Sequence, residues 1–303
     1  MKLIVNPVAA NGTVGKRWPR IRDFLRAEGA EFDAVLTERP GHATELARQA
    51  LAEGHRTIVA VGGDGTVNEV VNGLMVEGAV DPAVALGIIP GGTGADLART
   101  LGIPRDDEGA CRCLLRGRRR LIDLGEIICI REGREVHRYF ANVAGLGFDG
   151  EVADLVNRNP MTKALGGTIP YLICLFITLI TYRNKNVEVS FDGQSLKGRA
   201  TSVFVANGQY LAGGMHIAPH AAPDDALFDL IVLGDFGKLE LAANVAKVYR
   251  GTHLTIPKVD EYRGVKEVRV EAQERMLIQA DGELVGQAPT TFRIVPQALW
   301  VVA

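Results

Sequence analysis

The sequence predicts a two-domain chain, a parallel α/β domain followed by a β-rich one. Three observations support this. Over the first 105 residues, short apolar runs alternate with amphipathic stretches, the rhythm of a parallel sheet with helices on its faces. Three of those runs end in glycine-rich loops. Beyond about residue 120, strand-like runs dominate, separated by turn dipeptides such as Asp192-Gly193 and Asp281-Gly282. A length of 303 residues suits one large or two ordinary domains. The expected division is 1–124 and 125–290, with residues from about 291 to 303 able to return to the first domain.

Taken in order, the pattern predicts strands at 2–6, 32–37, 57–61 and 85–89, alternating with helices at 16–28, 43–53, 67–74 and 96–100. In the second part, strands are expected at 121–130, 138–143, 187–191, 200–207, 228–233, 268–271, 276–280 and 291–295. Helical insertions are expected near 151–182 and 238–250.

Composition bounds the function. Apolar residues make up 47% and charged ones 23%, enough for a sizeable core, and a net charge of −2 argues against nucleic acid as a partner. Arg112, Arg116, Arg118, Arg119 and Arg120 form a local run, read as a solvated helix face or, alternatively, a contact to an anionic membrane surface. Cys111, Cys113, Cys129 and Cys174 lack zinc-ligand spacing and read as reduced thiols of a cytosolic protein. The opening MKLIVNP is not expected to be a signal peptide. The apolar run at 169–182 has 14 residues, against roughly 20 for a membrane-spanning helix. It begins with Pro170 near a helix start and reads as a buried or interfacial helix. His42, His55, His216 and His220 read as surface or satisfied side chains rather than metal ligands.

The loops carry the chemistry. Strand one ends in NPVAANGTVGK, strand three in GGDGTVNE and strand four in PGGTGADLAR. Parallel strands place like ends together, and ligands of such sheets bind beyond the carboxyl ends. GTVGKR lacks the spacing and hydroxyl of a phosphate-binding P-loop, and no G-x-G-x-x-G follows the first strand. Gly62, Gly63 and Gly65 would let the backbone turn sharply and admit a bulky ligand, while Thr66 adds a hydroxyl near a positive helix end. Asp64 would act through a cation held on phosphates, or else be the N-cap of its helix. Gly91, Gly92, Thr93, Gly94 and Asp96 repeat the same grammar.

GGDGTVNEVVNGL followed by PGGTGADLAR resembles the diacylglycerol kinase catalytic-domain family, in its soluble bacterial lipid kinase branch, which is similar also to sphingosine and ceramide kinases. An early NP, a middle APDDALFDL and a late DGE extend the resemblance over the chain. It implies an α/β nucleotide domain, a β-sandwich lipid-substrate domain and an active site between them. It implies ATP contacts at Asn6, Pro7, Val8, Ala9, Ala10, Thr37, Gly62, Gly63, Asp64, Gly65, Thr66, Val67, Asn68, Glu69, Gly92 and Thr93. A network reaching Mg²⁺ through water would use Asp64, Asp96 and Asp281, and the general base would be Asp281 or Glu283. A structural Mg²⁺ would sit at Asp225 with backbone oxygens near Ala222 and Leu227. Ala95 stands where the family usually has asparagine, a departure that bears on positioning in the loop.

On their own, Asp281-Gly282 also reads as a type I′ hairpin turn, and Asp224 and Asp225 as a surface turn after Pro223. The expected activity is ATP- and Mg-dependent phosphorylation of a lipid hydroxyl, with diacylglycerol giving phosphatidic acid. The alternatives are an NAD kinase-like enzyme and a nucleotide- or lipid-binding regulator without turnover. The expected location is cytoplasmic, peripheral to the inner face of the membrane, and a homodimer is one possible assembly.

Overall fold

The computed structural model describes residues 1–92, 94–158 and 168–303, and the chain divides into two compact units. The first comprises Met1–Asp123 and Gln297–Ala303, the second Leu124–Pro296.

In the first unit the order is β1 (Lys2–Val5), α1 (Thr13–Ala27), β2 (Asp33–Leu36), α2 (His42–Ala52), β3 (Thr57–Gly62), α3 (Asp64–Leu74), β4 (Ala85–Pro90), α4 (Asp96–Leu101) and α5 (Asp107–Arg116). The strands pair in parallel as β2-β1-β3-β4, and the end of the last strand, β17 (Glu283–Val302), adds beside β4 with Trp300 opposite Ala85. TIVAVG and ALGIIP are apolar almost throughout because a sheet covered by helices buries both faces of its central strands. Helix α1 offers Val14, Trp18, Ile21 and Leu25, one helical stripe, to Leu3, Val5, Val59, Val61 and Ile89. Helix α5 is absent from the sequence pattern, because arginines and acids crowd its ten residues. Asp106 caps it by accepting the Gly109 N–H at 2.7 Å, and Ala110, Cys111 and Leu114 are its buried stripe.

The second unit takes up β5 (Arg119–Arg131) from Leu124 onward, then β6 (Arg134–Phe140), β7 (Val143–Gly147), α6 (Phe148–Arg158) and α7 (Thr168–Thr181). It continues with β8 (Lys185–Phe191), β9 (Gln194–Ala200), β10 (Ser202–Ala206), β11 (Tyr210–Leu211), β12 (Met215–His216), β13 (Phe228–Leu233), α8 (Lys238–Arg250), β14 (Val259–Val265), β15 (Glu267–Ala272), β16 (Leu277–Ala280) and most of β17. Strands β14-β13-β10-β7-β16 run antiparallel in that order, and β17 joins β16 to β15, which pairs in turn with β8 and β9. Residues from both sets of strands fill one core. Phe140 lies at its centre, stacked on Phe228 at 5.8 Å and edge-on to Phe292 at 6.3 Å.

The structure revises several expected boundaries. The strand expected at 138–143 is broken after Phe140 and resumes at Val143, for a reason that lies in the candidate site. The strand expected at 200–207 starts at Ser202, because Thr201 turns its N–H and hydroxyl to the carbonyl of Gly234. Strands β9 and β14 escape the apolar pattern because their exposed positions carry charges. The middle of the expected helical insertion, 159–167, lies outside the described residues.

Candidate active site

In the first unit the carboxyl ends of β1, β3 and β4 bring their loops together. Asn6 donates its backbone N–H to the Val61 carbonyl at 2.9 Å and its side-chain Nδ2 to Thr66 Oγ1 at 2.9 Å. Its Oδ1 accepts the Val8 N–H at 3.2 Å, so one amide side chain ties Pro7–Ala10 to the start of α3. Ala10 and Asn11 turn the loop with φ of 48° and 58°. At the end of β2, Thr37 is buried and donates its N–H to the Val5 carbonyl at 2.8 Å.

The glycines serve close approach. Gly91 donates to the Gly62 carbonyl at 2.7 Å; a Cβ on Gly62 would come within 2.5 Å of Thr66 Oγ1, and one on Gly92 within 3.0 Å of the Gly63 Cα. Gly63 has an ordinary extended backbone, φ −84° and ψ −177°, so the sharp turn expected of it is not what requires glycine there. Two loop backbones touch where any side chain would separate them.

Asp64 is the first residue of α3, with Gly63 as the N-cap, so it does not cap its own helix. Its Oδ1 instead accepts the N–H of Asp96, the first residue of α4, at 2.8 Å. This joins the two glycine loops and puts two carboxylates on neighbouring helix starts. Ala95 is buried with φ 48°, a left-handed conformation that asparagine tolerates better than alanine. The rest of α3's first turns are engaged in the fold. Thr66 accepts from Asn6, Val67 is core, and Asn68 Oδ1 accepts from Asn72 at 3.2 Å. Glu69 accepts the N–H groups of Gly41 and Ala43 at 2.8 and 3.0 Å, supplying the cap that glycine at the start of α2 lacks. Thr93 lies outside the described residues.

In the second unit, Asp281 and Gly282 have φ of 48° and 89° between β16 and β17, the two positive values of a type I′ hairpin. The Asp281 carboxylate accepts three backbone N–H groups, from Ala141 at 2.9 Å, Asn142 at 3.0 Å and Val143 at 3.2 Å. That explains the break between β6 and β7: the N–H groups of 141–143 turn to a side chain 138 to 140 residues away. Glu283, two residues on, is half-buried.

The loop expected to hold a structural cation is separate. Asp225 is exposed and accepts the Leu227 N–H at 3.0 Å; Ala222 and Leu227 are half-buried. Asp229 lies buried nearby with no hydrogen-bond partner for its Oδ2 among the described residues. Burial pushes its carboxyl up to about 6, with Glu261 and Asp225 adding to the rise and Arg263 opposing it. Among the described residues no three His, Cys, Asp or Glu side chains are grouped to hold a metal alone. The histidines have other roles: His220 contacts Glu261 at 2.8 Å and His216 stacks on Tyr210 at 4.4 Å. Cys111 is pushed up to about 11, mainly by burial, and so stays a thiol.

The arginine run does not form one helix face. Arg112 and Arg116 end α5, where they meet Glu108 at 3.5 Å and Glu28 at 2.6 Å, while Arg119 and Arg120 open β5. Helix α7 is different. Ile173, Phe176, Ile177 and Ile180 are exposed at i, i+3, i+4 and i+7, Phe176 by 62%, with Cys174 and Thr178 buried. Helix α8 adds Leu239, 87% exposed, and the exposed cations Lys238, Lys247 and Arg250, and Lys238 Nζ bonds to the Ile180 carbonyl. Among the described residues no helix is long and apolar enough to cross a membrane.

Comparison with known proteins places this architecture. Residues 1–127 match the diacylglycerol kinase catalytic domain, and residues 142–303 match the YegS C-terminal NAD kinase beta sandwich-like domain. The diacylglycerol kinase of Bacillus subtilis (strain 168) is 31% identical over 96% of this chain and 92% of its own length. That of Staphylococcus carnosus (strain TM300) is 30% identical over 99% of this chain and 94% of its own. A crystal structure from Bacillus anthracis str. Sterne, provisionally described as a diacylglycerol kinase, superposes with a TM-score of 0.79 at 27% identity, covering 99% of this chain and 94% of that one. Yeast NADH kinase complexed with NADH shares the fold alone, with a TM-score of 0.53 at 11% identity over 100% of this chain and 82% of that one. With both halves matched and relatives aligned over nearly its full length, the chain belongs to the diacylglycerol kinase family and is a lipid kinase.

Proposed function

We propose that the enzyme transfers the γ-phosphoryl group of ATP to the free hydroxyl of diacylglycerol, giving phosphatidic acid. The observation that carries this reading is the Asp64 contact to the start of α4, which locks two glycine loops and two carboxylates at one edge of a parallel sheet. Backbone amides at the start of α3 suit phosphate oxygens, and Asn6 holds the NPVAA loop against that start. Val67, Asn68 and Glu69 also serve packing and capping, and Asp64, the Gly62–Thr66 backbone, Gly92, Thr37 and the NPVAA loop line the nucleotide in this reading.

Mg²⁺ bound on phosphates takes one or two carboxylates and completes its shell with phosphate oxygens and water, which fits Asp64 and Asp96 without a third protein ligand. When bound, the ion would neutralise charge developing on the phosphates. A carboxylate of the Asp281–Glu283 turn would take the proton of the lipid hydroxyl as it attacks the γ-phosphorus. Asp225 with carbonyls near Ala222 and Leu227 would hold a second, structural Mg²⁺, and a cation there would relieve the partnerless oxygen of Asp229. Turnover of diacylglycerol with ATP and with GTP, before and after EDTA, tests the nucleotide and metal together. ATP preference and loss of activity in EDTA are expected; turnover indifferent to both refutes this part of the reading.

Reaching a bilayer substrate implies a cytoplasmic enzyme peripheral to the inner face. The α7–α8 surface supports such contact better than the arginine run, because its apolar stripe is exposed and the exposed charged residues within α8, Lys238, Lys247 and Arg250, are basic. Phe176→Ser with Ile180→Ser is expected to weaken co-sedimentation with phosphatidylglycerol vesicles severalfold and to spare turnover of short-chain soluble diacylglycerol. Equal co-sedimentation of variant and wild type removes α7 from the contact. Light scattering on the same samples shows whether the stripe instead joins two copies of the chain.

A further inference from the structure

The turn that carries Asp281 is held by a second set of contacts that does not use the Asp281 carboxylate. Gln279, buried on β16, accepts the Gly282 N–H through Oε1 at 3.0 Å. Its Nε2 donates to Asp149 Oδ2 at 3.1 Å, and Asp149 Oδ1 accepts from Ser202 Oγ of β10 at 3.2 Å. A backbone N–H can only donate, so the oxygen end of the Gln279 amide must face Gly282. The amino end then faces Asp149, which must accept. The orientation of one side chain is thus fixed from both ends.

The sequence makes room for this. In GLGFDG, residues 145–150, Gly145 lies opposite Gln279 across the strand pair, and a Cβ there would collide with Asp149 Oδ2. A Cβ on Gly150 would collide with the Leu277 carbonyl on β16. The two bare positions let the first turn of α6 lean onto the sheet beside Gln279. Burial pushes the Asp149 carboxyl up to about 6, against the opposing hydrogen bonds from Gln279 and Ser202. Tyr182, after α7, is pushed up by burial, with Asp149, Glu151 on the same helix and Glu274 before β16 adding to the rise, and Lys185 stands over its ring at 5.5 Å.

We propose that Asp149 and Gln279 are positioning residues for phosphoryl transfer, Asp149 orienting the amide of Gln279 and Gln279 holding the Asp281–Glu283 turn in place. The proposal rests on the reading that this turn supplies the proton acceptor. Protonation of Asp281 would weaken its acceptance of the 141–143 N–H groups, because a neutral carboxyl is a poorer acceptor than a carboxylate. The Gln279–Gly282 bond does not involve either carboxylate, so it holds the turn in place while the proton moves.

The test exchanges the two ends of the pair. Gln279→Glu replaces the donor with a carboxylate facing Asp149. It is expected to lower kcat between about tenfold and about a hundredfold, the cost of misplacing a catalytic group by roughly 1 Å, with the KM for ATP unchanged. Adding Asp149→Asn to Gln279→Glu supplies an amide that donates to the introduced carboxylate, restoring both hydrogen bonds and the net charge. In that double variant kcat is expected to return to within about threefold of wild type. Asp149→Asn alone still presents an oxygen to Gln279. Because the folded state raises the Asp149 carboxyl, ionising it disfavours folding as pH rises through about 6, so this variant is expected to fold at least as well as wild type above that pH. Gln279→Asn, too short to reach both partners, is the second variant, with the same expected loss of kcat at constant KM. Wild-type kcat in Gln279→Glu or Gln279→Asn, or a folded double variant no faster than Gln279→Glu, overturns the proposal. Asp281→Asn and Glu283→Gln, assayed alongside, isolate the parent reading: full turnover in both ends that reading and this proposal with it, whereas loss of turnover in either one beside active Gln279 variants ends this proposal alone.

Discussion

Asp64→Asn is expected to lower turnover by roughly 10³-fold, about 4 kcal/mol of transition-state stabilisation, in a protein that remains folded. The variant separates the two tasks of the side chain. Asparagine keeps an oxygen for the Asp96 N–H, so the bond between the glycine loops and the start of α4 survives. It removes the charge, which a cation on the phosphates would need. Circular dichroism and thermal melting should therefore match wild type while kcat collapses at saturating ATP. Normal turnover in a folded Asp64→Asn protein would reduce Asp64 to a cap for α4.

Asp281→Asn is expected to cost both activity and stability. The amide oxygen can still accept from Asn142 and Val143, but the amino group then faces the Ala141 N–H, donor against donor. One buried N–H without a partner costs about 1–3 kcal/mol, so the melting temperature should fall by several degrees. Loss of a general base lowers turnover by about 10² to 10⁴-fold. Glu283→Gln separates the two carboxylates. It touches none of the 141–143 contacts, so an equal loss of kcat at an unchanged melting temperature assigns the proton acceptor to Glu283, and normal kcat assigns it to Asp281.

The strands of the first unit are legible in the sequence because β1, β3 and β4 are buried on both faces, and burial leaves uninterrupted apolar runs. The glycine loops are legible as motifs, and the α/β-then-β order carries the fold class. What escapes is non-local or charge-rich. Helix α5 hides its buried stripe of Ala110, Cys111 and Leu114 among acids and arginines. The break at 141–142 has no local cause, since Ala141 and Asn142 would continue a strand if Asp281 did not take their N–H groups. The same distance hides the partner of Asp64, the capping of α2 by Glu69 and the Asp149–Gln279 contact. A motif shows which residue types are present. Which groups each side chain satisfies is decided by pairs far apart in the chain.

A competition between acceptors decides whether the phosphoryl group goes to a lipid hydroxyl. The purified enzyme, given γ-labelled ATP and Mg²⁺ with diacylglycerol in mixed micelles and NAD together in one reaction, is expected to place the label in an organic-extractable product that co-migrates with phosphatidic acid. Label in NADP, or nucleotide bound without transfer to either acceptor, rules out diacylglycerol as the acceptor.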